Sequence, residues 1–349
     1  MTKNVMRERQ VWETLSVFES HDYVGKWYKA RHDRELNAAR TREIISCFTQ
    51  GREYFASAKV AASSVRPLLL YYGALSLSRG LILLLDPTKS EASLKPSHGL
   101  EVVGWTNTLA GGIGKVLDLG IRATSGTFSE LATATGNSQL TAWWSAPTLN
   151  LGQYHVRFAN PKFCSDASVI TLDDLVSRDH RFLALYQSTT GREGRVHLSE
   201  IVADSKGIEI SMFPFGDSFD REVVETRFGW PFGTVVLERP SAKRLPIPNF
   251  TVQLAGADLN ELKPLLPATQ YTNGDGMFVL QDFANGDRLS ELLRTFLLSY
   301  FLGMLVRYFP SRWIALLRNE KGDAAQPMLM AAVNAIEHDL PQLVSASLA

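Results

Sequence analysis

Cysteine is scarce in this chain of 349 residues, which contains only Cys47 and Cys164. The two lie far apart, and neither belongs to a CxxC or Cys/His group. The sequence therefore excludes a disulfide framework and a zinc-binding motif. This cysteine usage predicts a protein of the reducing cytoplasm.

Net charge is also lacking, because 36 lysine and arginine residues balance 36 aspartate and glutamate residues. A neutral chain produces no overall field that attracts nucleic acid or an anionic membrane, so such binding would require a local patch. For this reason we do not favour nucleic acid as a partner.

An uninterrupted apolar run of membrane-spanning length is absent too. The best candidate, residues 68–85, contains Arg79, two serines and two glycines, and an arginine at the centre of a bilayer is costly. The uncharged run 296–306 is too short to span. The first ten residues lack the apolar core of a signal peptide. We predict a soluble protein with no membrane partner, in which residues 68–85 form a buried helix.

Hydrophobic residues make up 45% of the chain, enough for a large core. Helical spacing and cap residues predict a hairpin of helices over 35–62 and 65–86. Similar patterns predict helices over 287–308 and 328–340, the second stopped by Pro341, and a short helix at 171–176.

Between these helices the character of the sequence changes. Glycines break up residues 95–151, which predicts loops and short elements. Alternating segments then predict an antiparallel sheet, with strands over 196–202, 207–213, 221–227, 233–238 and 250–254. We therefore predict an α+β fold in which N- and C-terminal helices pack together with a β-containing middle region. The predicted regions are 1–95 and 286–349, both helical, 96–165, with glycine-rich loops and short elements, and 166–285, rich in strands.

Several motifs along the chain resemble those of the YaaC-like family, a group of uncharacterised bacterial proteins. They are Gln50–Phe55 (QGREYF), Pro67–Gly73 (PLLLYYG), Ser97–Gly99 (SHG), Thr171–Leu175 (TLDDL) and Phe301–Pro310 (FLGMLVRYFP). Residues 101–161 match none of the family's motifs. The resemblance implies a bacterial protein, and it brings no established activity that assigns roles to particular residues.

Arginines set into apolar helices are the first candidate site. A guanidinium on such a helix must meet a carboxylate, a carbonyl, water or a bound anion. Two alternatives follow: internal ion pairs with Glu53, Asp86 or Glu291, or a pocket for phosphate or carboxylate flanked by tyrosines. We expect Arg66, Arg79 and Arg307 to lie near one another. The candidate ligand-binding residues are Arg52, Arg66, Tyr72, Arg79 and Arg307.

A second candidate is the pair Arg192 and His197, which has the Arg-x4-His spacing of HEPN-type ribonucleases. Those enzymes present both residues from one helix, whereas Gly191 and Gly194 interrupt this segment and a strand is predicted to follow. We therefore predict that this pair is not catalytic. Residues 109–116 resemble a phosphate loop but lack its first glycine and its hydroxyl, so we interpret them as a flexible loop.

The remaining candidates give no motif for a metal or a cofactor. His98 and His338 each stand beside polar residues without a second ligand at metal spacing, and we interpret both as surface or capping histidines. Trp143 and Trp144 suit either the core or a contact with a partner protein. No metal site and no cofactor is predicted.

The sequence thus predicts a cytoplasmic binding or regulatory module for a partner protein or a small anionic ligand. It supplies no complete catalytic motif, so no catalytic residue is assigned and the protein's status as an enzyme is left open. The alternative is a nuclease or nucleotide-processing effector, for example in antiphage defence. The sequence gives no indication of oligomeric state.

Overall fold

The computed structural model describes residues 3–145, 148, 150–159, 169–204, 207–213, 225–226, 228–233, 235–238, 249–255, 266–272, 276–320 and 322–349. The chain forms two compact units. The first comprises Met1–Thr135, Lys162–Asp173 and Leu292–Ala349, and the second comprises Gly136–Pro161 and Asp174–Glu291. Helices at both termini and strands between them confirm the predicted α+β class. Both terminal regions predicted from the sequence contribute to the first unit.

Helices dominate the first unit. Its N-terminal helices are α1 (Lys3–Ser16), α2 (His21–His32), α3 (Ala38–Val60), α4 (Arg66–Leu85), α5 (Trp105–Ala110) and α6 (Thr127–Thr135). Later helices are α7 (Leu172–Val176), α8 (Leu183–Thr190, in the second unit), α9 (Glu291–Tyr308), α10 (Pro310–Leu317) and α11 (Gln326–Ser347). Short 3-10 helices cover Val17–Glu19, Glu91–Ser93, Ile113–Asp118, His180–Phe182 and Asp323–Ala325.

The predicted helical hairpin is confirmed as α3 and α4. Asn37 caps α3 by accepting a hydrogen bond from the backbone N–H of Arg40 at 2.9 Å. The two helices approach closely at glycines: a Cβ on Gly51 would lie 2.6 Å from Leu77 Cδ2, and one on Gly80 would lie 2.8 Å from Phe48 Cε2. The glycines therefore set the short distance between the helices.

N- and C-terminal helices pack together, as predicted. On α9, a Cβ at Gly303 would lie only 2.6 Å from Tyr71 Cβ of α4. Trp313 of α10 donates its indole N–H to the carbonyl oxygen of Ser63 at 3.0 Å. The side chains of Arg66 and Glu337 join α4 to α11. These contacts bury the apolar faces of helices that are far apart in sequence.

Two prolines lie at the ends predicted for the C-terminal helices. The helix predicted over 287–308 does end at Tyr308. Pro310 begins α10, whose axis turns by 104° from that of α9. Pro341 lies inside α11, so the prediction that the last helix ends there is wrong. Leu340, Pro341 and Val344 are all buried, and burial of this face offsets the one backbone hydrogen bond that proline cannot make.

A small antiparallel sheet completes the first unit. Its strands are β1 (His98–Val103), β2 (Gly120–Gly126) and β5 (Val169–Thr171), with β2 between the other two. The predicted helix start at 171–176 follows as α7. The glycine-rich stretch forms short elements, as predicted, including α5, β1 and β2.

The second unit is built on a larger sheet. Its strands are β3 (Ser138–Ser145), β4 (Asn150–Arg157), β6 (Val196–Asp204), β7 (Gly207–Phe213), β8 (Val235–Glu238), β9 (Asn249–Ala255), β10 (Ala268–Thr272) and β11 (Gly276–Leu280). Their order is β10-β11-β6-β7-β9-β8, with β3 pairing both β4 and β6. The predicted strands 196–202, 207–213, 233–238 and 250–254 correspond to β6, β7, β8 and β9. Of the predicted strand 221–227, residues 221–224 and 227 lie outside the described residues, and Glu225 and Thr226 are helical.

By length and composition alone, α4 is apolar enough to cross a membrane, and α9 with α10 would pass the same test as one bent span. Core helices of soluble proteins pass it as well, and 67% of the apolar stretch of α4 is buried inside the protein. One or two such helices among the described residues are weak evidence for a membrane span.

The buried interface between α4 and α9 predicts a strong effect of charge. Leu70→Asp or Leu302→Asp is expected to give insoluble protein, because both leucines are fully buried and an unpaired buried carboxylate costs several kcal/mol. The soluble fraction after expression measures this, with Leu151→Asp as the control because Leu151 is 50% exposed. Soluble, folded Leu70→Asp protein would contradict the packing described above.

Candidate functional site: an arginine among tyrosines

Two of the arginines predicted to bind a ligand form salt bridges with glutamate side chains. Arg52 donates to both carboxylate oxygens of Glu19, at 2.7 and 3.0 Å. Arg66 pairs with Glu337, whose side chain is only 6% exposed. The internal ion-pair alternative is therefore correct for Arg52 and Arg66, but their partners are neither Glu53, Asp86 nor Glu291.

The expected convergence of Arg66, Arg79 and Arg307 is not observed. Arg66 and Arg79 are thirteen residues apart on α4, which corresponds to about 20 Å along the helix axis. Half-buried Arg79 has no hydrogen bond or ion pair to the described residues, and its charge acts on the Cys47 thiol of α3. Burial nevertheless raises the pKa of that thiol to about 12, so Cys47 is a poor nucleophile at neutral pH.

Arg307 has a different environment. It is exposed near the end of α9, and its Nη1 donates to the hydroxyl oxygen of Tyr72 at 3.1 Å. Its guanidinium carbon lies 5.1 Å from the ring centroid of Tyr308. Tyr72 in turn stacks on Tyr54 with a centroid distance of 5.7 Å. Within the described part of the chain, no carboxylate forms an ion pair with Arg307.

A histidine joins this group from β1. The hydroxyl oxygen of fully buried Tyr71 lies 2.5 Å from His98 Nδ1. The ring of Tyr300 lies 5.6 Å from that of Tyr71 and 6.0 Å from that of His98, and its hydroxyl donates to the Leu100 carbonyl at 3.1 Å. We call Arg307, Tyr71, Tyr72, His98, Tyr300 and Tyr308 the Arg307 cluster.

Two glycines position His98. The pairing of β1 with β2 is irregular between His98 and Leu100, where a bulge interrupts the register. At this point Gly99 has φ +74° and Gly126 has φ +152°, and a Cβ on Gly126 would lie 2.5 Å from the Gly99 nitrogen. Only glycine fits such a close backbone approach. Bulges re-aim side chains and occur often beside active sites.

Burial is the main cause of the pKa shifts in the cluster. It raises the pKa of Tyr71 well above its usual value and that of Tyr300 to about 12. Burial, assisted by the positive charge of Arg307, lowers the pKa of His98. At neutral pH Tyr71, Tyr300 and His98 are therefore uncharged, and the positive charge beside them is that of Arg307.

His98 is the residue whose role sequence reasoning missed. It was interpreted as a surface or capping histidine, but it is half-buried and hydrogen-bonded to Tyr71. The signal was present in the glycine that follows it, because a glycine inside a strand marks a bulge or a close approach. His338, by contrast, is exposed on α11, and its Nδ1 lies 2.7 Å from the Asn334 carbonyl oxygen.

The pair Arg192 and His197 is not presented from one helix. Arg192 follows the end of α8 and lies over the Tyr186 ring, with its guanidinium carbon 5.5 Å from the centroid. His197 is in strand β6, where it is 3% exposed and contacts Gln281 at 3.2 Å. This geometry lacks the shared helix face that the ribonuclease interpretation requires.

The other candidates are placed as follows. Residues 109–116 form the end of α5 and the start of a 3-10 helix rather than a free loop. On β3, Trp143 packs against the core of the second unit, whereas Trp144 is 36% exposed. Among the described residues, no three histidine, cysteine, aspartate or glutamate side chains are grouped so that they could hold a metal ion.

Comparison with known proteins identifies the family. A family model described as YaaC-like Protein matches residues 16–348. This match covers nearly the whole chain, so the chain belongs to the YaaC-like family. No curated protein matches the chain, and no solved structure matches it either.

Proposed function

We propose that this member of the YaaC-like family is a cytoplasmic binding module that takes up a small anionic ligand at the Arg307 cluster. One observation carries the proposal: the exposed guanidinium of Arg307 donates to a tyrosine hydroxyl and forms no ion pair with an acid of the described residues. Arg52 and Arg66, on neighbouring helices, are both paired with carboxylates. Arg79 also forms no ion pair with the described residues, but it is half-buried, whereas Arg307 is exposed and stands beside Tyr72 and Tyr308. We therefore assign the anion to Arg307.

Its surroundings support this assignment. An arginine free in water needs no partner, so exposure alone would mean little. Here, however, the guanidinium stands beside the ring of Tyr308 and the hydroxyl of Tyr72, and its charge reaches half-buried His98. The hydrogen bond to Tyr72 thereby holds the exposed guanidinium beside other polar groups. The tyrosine hydroxyls add neutral hydrogen-bonding groups around it.

Thermal unfolding with inorganic phosphate tests the proposal. Phosphate is expected to raise the melting temperature of the parent protein, by an amount equivalent to about 2.7 kcal/mol at a hundred times the dissociation constant. Arg307→Met should abolish this increase while changing the stability without phosphate by less than about 0.5 kcal/mol, because Arg307 is exposed. Sodium chloride keeps the ionic strength constant in every sample.

Arg318→Met is the matched control, because Arg318 is exposed at the end of α10 and carries the same charge. It should respond to phosphate like the parent. An equal response of the parent and Arg307→Met, or no response of the parent at all, would refute the proposed site.

A further inference from the structure

We propose that His98 is the second hydrogen-bond donor of the Arg307 cluster and that the ligand is a tetrahedral oxyanion of the phosphate-monoester type. This inference rests on the proposed function, in which the cluster binds an anion. It assigns to His98 a binding role and to Tyr71 the role of a positioning residue.

Tyr71 determines which nitrogen of His98 carries the proton. The Tyr71 hydroxyl is buried, and His98 Nδ1, at 2.5 Å, is its hydrogen-bond partner among the described residues. If Nδ1 carried the proton, the hydroxyl hydrogen of Tyr71 would have no acceptor, and a buried unsatisfied donor is costly. Tyr71 therefore donates to Nδ1. In neutral His98 the proton then lies on Nε2, which makes this atom a donor.

The geometry of α9 places the charge of Arg307 within reach of His98. Phe296, Tyr300, Gly303 and Arg307 follow one another at intervals of three or four residues, so they lie on the same face of the helix. Phe296, Tyr300 and Gly303 contact Tyr71 directly. Long side chains on a helix point back towards its N-terminus. The Arg307 side chain is thereby directed towards the Tyr71 and His98 end of the cluster.

The number and origin of the donors indicate the class of ligand. A carboxylate has two oxygens in one plane and is satisfied by a single guanidinium fork. Here Nη1 of Arg307 already donates to Tyr72, and the other donor comes from a different element, β1. A phosphate monoester has three acceptor oxygens that point in different directions and carries nearly two negative charges at neutral pH. It can accept from Arg307 and His98 at once.

Protonation of His98 should strengthen binding, because an imidazolium adds a second positive charge beside the ligand. Burial and the charge of Arg307 lower the pKa of His98 in the free protein, and protonation of Nδ1 also removes the acceptor of the Tyr71 hydroxyl hydrogen. Protonation of His98 therefore needs a pH below the ordinary histidine value of about 6.5. A bound anion favours the charged form and raises this pKa again. The affinity for an anion of constant charge should therefore rise as the pH falls. The titratable or charged side chains that contact His98 or act on it are Tyr71, Tyr300 and Arg307. The elements packed around it also carry Tyr72 on α4, Tyr308 on α9, Glu101 on β1, Arg122 on β2 and Glu130 on α6.

Three of these groups already form salt bridges. Arg122 and Glu101 form a salt bridge of 3.4 Å between β2 and β1. Glu130 pairs with Lys89 at 3.1 Å. Both carboxylates therefore already have a positively charged partner. Histidine is the side chain whose ordinary pKa lies near neutral pH.

The test measures sulfate binding between pH 5.5 and 8 by calorimetry and thermal unfolding. Sulfate is tetrahedral and keeps two negative charges throughout this range, so a change in affinity reports on the protein. In the parent, the affinity for sulfate is expected to rise about tenfold or more as the pH falls, whereas acetate should bind weakly at every pH. His98→Gln keeps a donor but cannot titrate, so it should bind sulfate with a flat pH profile.

Further variants separate the roles within the cluster. His98→Ala removes the donor and should weaken sulfate binding about tenfold at pH 8. Tyr71→Phe keeps the ring packing but removes the hydroxyl that fixes the proton of neutral His98 on Nε2. It should therefore weaken sulfate binding at pH 8 and retain the increase in affinity at low pH. Nuclear magnetic resonance of histidine-labelled protein supplies a second, direct readout of the protonation of His98. Sulfate should raise the pKa of the one histidine signal that His98→Gln removes.

The outcomes distinguish this inference from the proposed function. No sulfate or phosphate binding by the parent, or undiminished binding by Arg307→Met, would overturn both. Binding that Arg307→Met abolishes but His98→Ala leaves unchanged, with the same pH profile as the parent, would overturn the role of His98 alone. Equal affinity for acetate and sulfate would overturn the assignment of a tetrahedral ligand.

Discussion

Replacing Arg66 by methionine is expected to lower the free energy of unfolding by about 3–5 kcal/mol. The substitution keeps most of the apolar stem but removes the charge that neutralises Glu337, whose side chain is 6% exposed. A buried carboxylate without its partner has lost its hydration, and no ion pair replaces it. Urea denaturation at pH 7, followed by circular dichroism, measures the difference.

A double-mutant cycle separates the ion pair from other effects of the substitution. Glu337→Gln should cost less than Arg66→Met, about 1–2 kcal/mol, because the Arg66 side chain is 20% exposed and can still reach water. In the double variant no charge is stranded, so stability should recover relative to Arg66→Met alone, with a coupling energy above about 1 kcal/mol. Additive single losses would show that Arg66 contributes by packing rather than by pairing.

Gly126→Ala is expected to destabilise the protein by about 3–5 kcal/mol, the sum of a strained backbone and a steric clash. Gly126 has φ +152°, and the added Cβ would lie 2.5 Å from the Gly99 nitrogen and 2.7 Å from the Ser97 oxygen. Both are backbone atoms of β1 or its flank, so no side-chain rotation relieves the contact. Since β1 carries His98, the variant should also lose part of the stabilisation by phosphate.

Gly104→Ala controls for backbone strain alone. Gly104 has φ +66°, but a Cβ there would meet nothing within 4 Å. Its expected cost is about 1–2 kcal/mol, and its response to phosphate should equal that of the parent. If Gly126→Ala and Gly104→Ala had the same stability, the close approach of β1 and β2 at the bulge would be wrong.

Local patterns were sufficient to predict part of this fold, whereas α1, α2, β10 and β11 were not predicted. The spacing of apolar residues indicated α3 and α4 because a helix face repeats every three to four residues. Alternation of apolar and polar residues likewise indicated the strands β6, β7, β8 and β9. Pro341 misled the prediction, since a cost within one helix was outweighed by contacts with residues far away in sequence, which no local pattern reveals.

The candidate site was predicted only in part for the same reason. Arg307 and Tyr72 were chosen from their residue type and from the apolar character of their helices, and the structure joins them across 235 positions. Glu337, which pairs with Arg66, lies 271 positions away in the sequence. Acidic residues nearer to the apolar helices were the candidates that the sequence indicated. His98 depends on a bulge whose existence requires the pairing of β1 with β2. Pairings of this kind are set by the whole chain.

The division of the chain has a consequence for its synthesis. The first unit is assembled from three segments, and the segment that begins at Leu292 is made long after α4 has ended at Leu85. At about 5–20 residues per second, the intervening stretch takes a ribosome roughly 10–40 s. During this time α4, the most apolar of the described helices, cannot pack against α9 and α11. Ribosome-bound chains stopped before Leu292 should therefore recruit chaperones through α4, and chains that extend past α11 should release them.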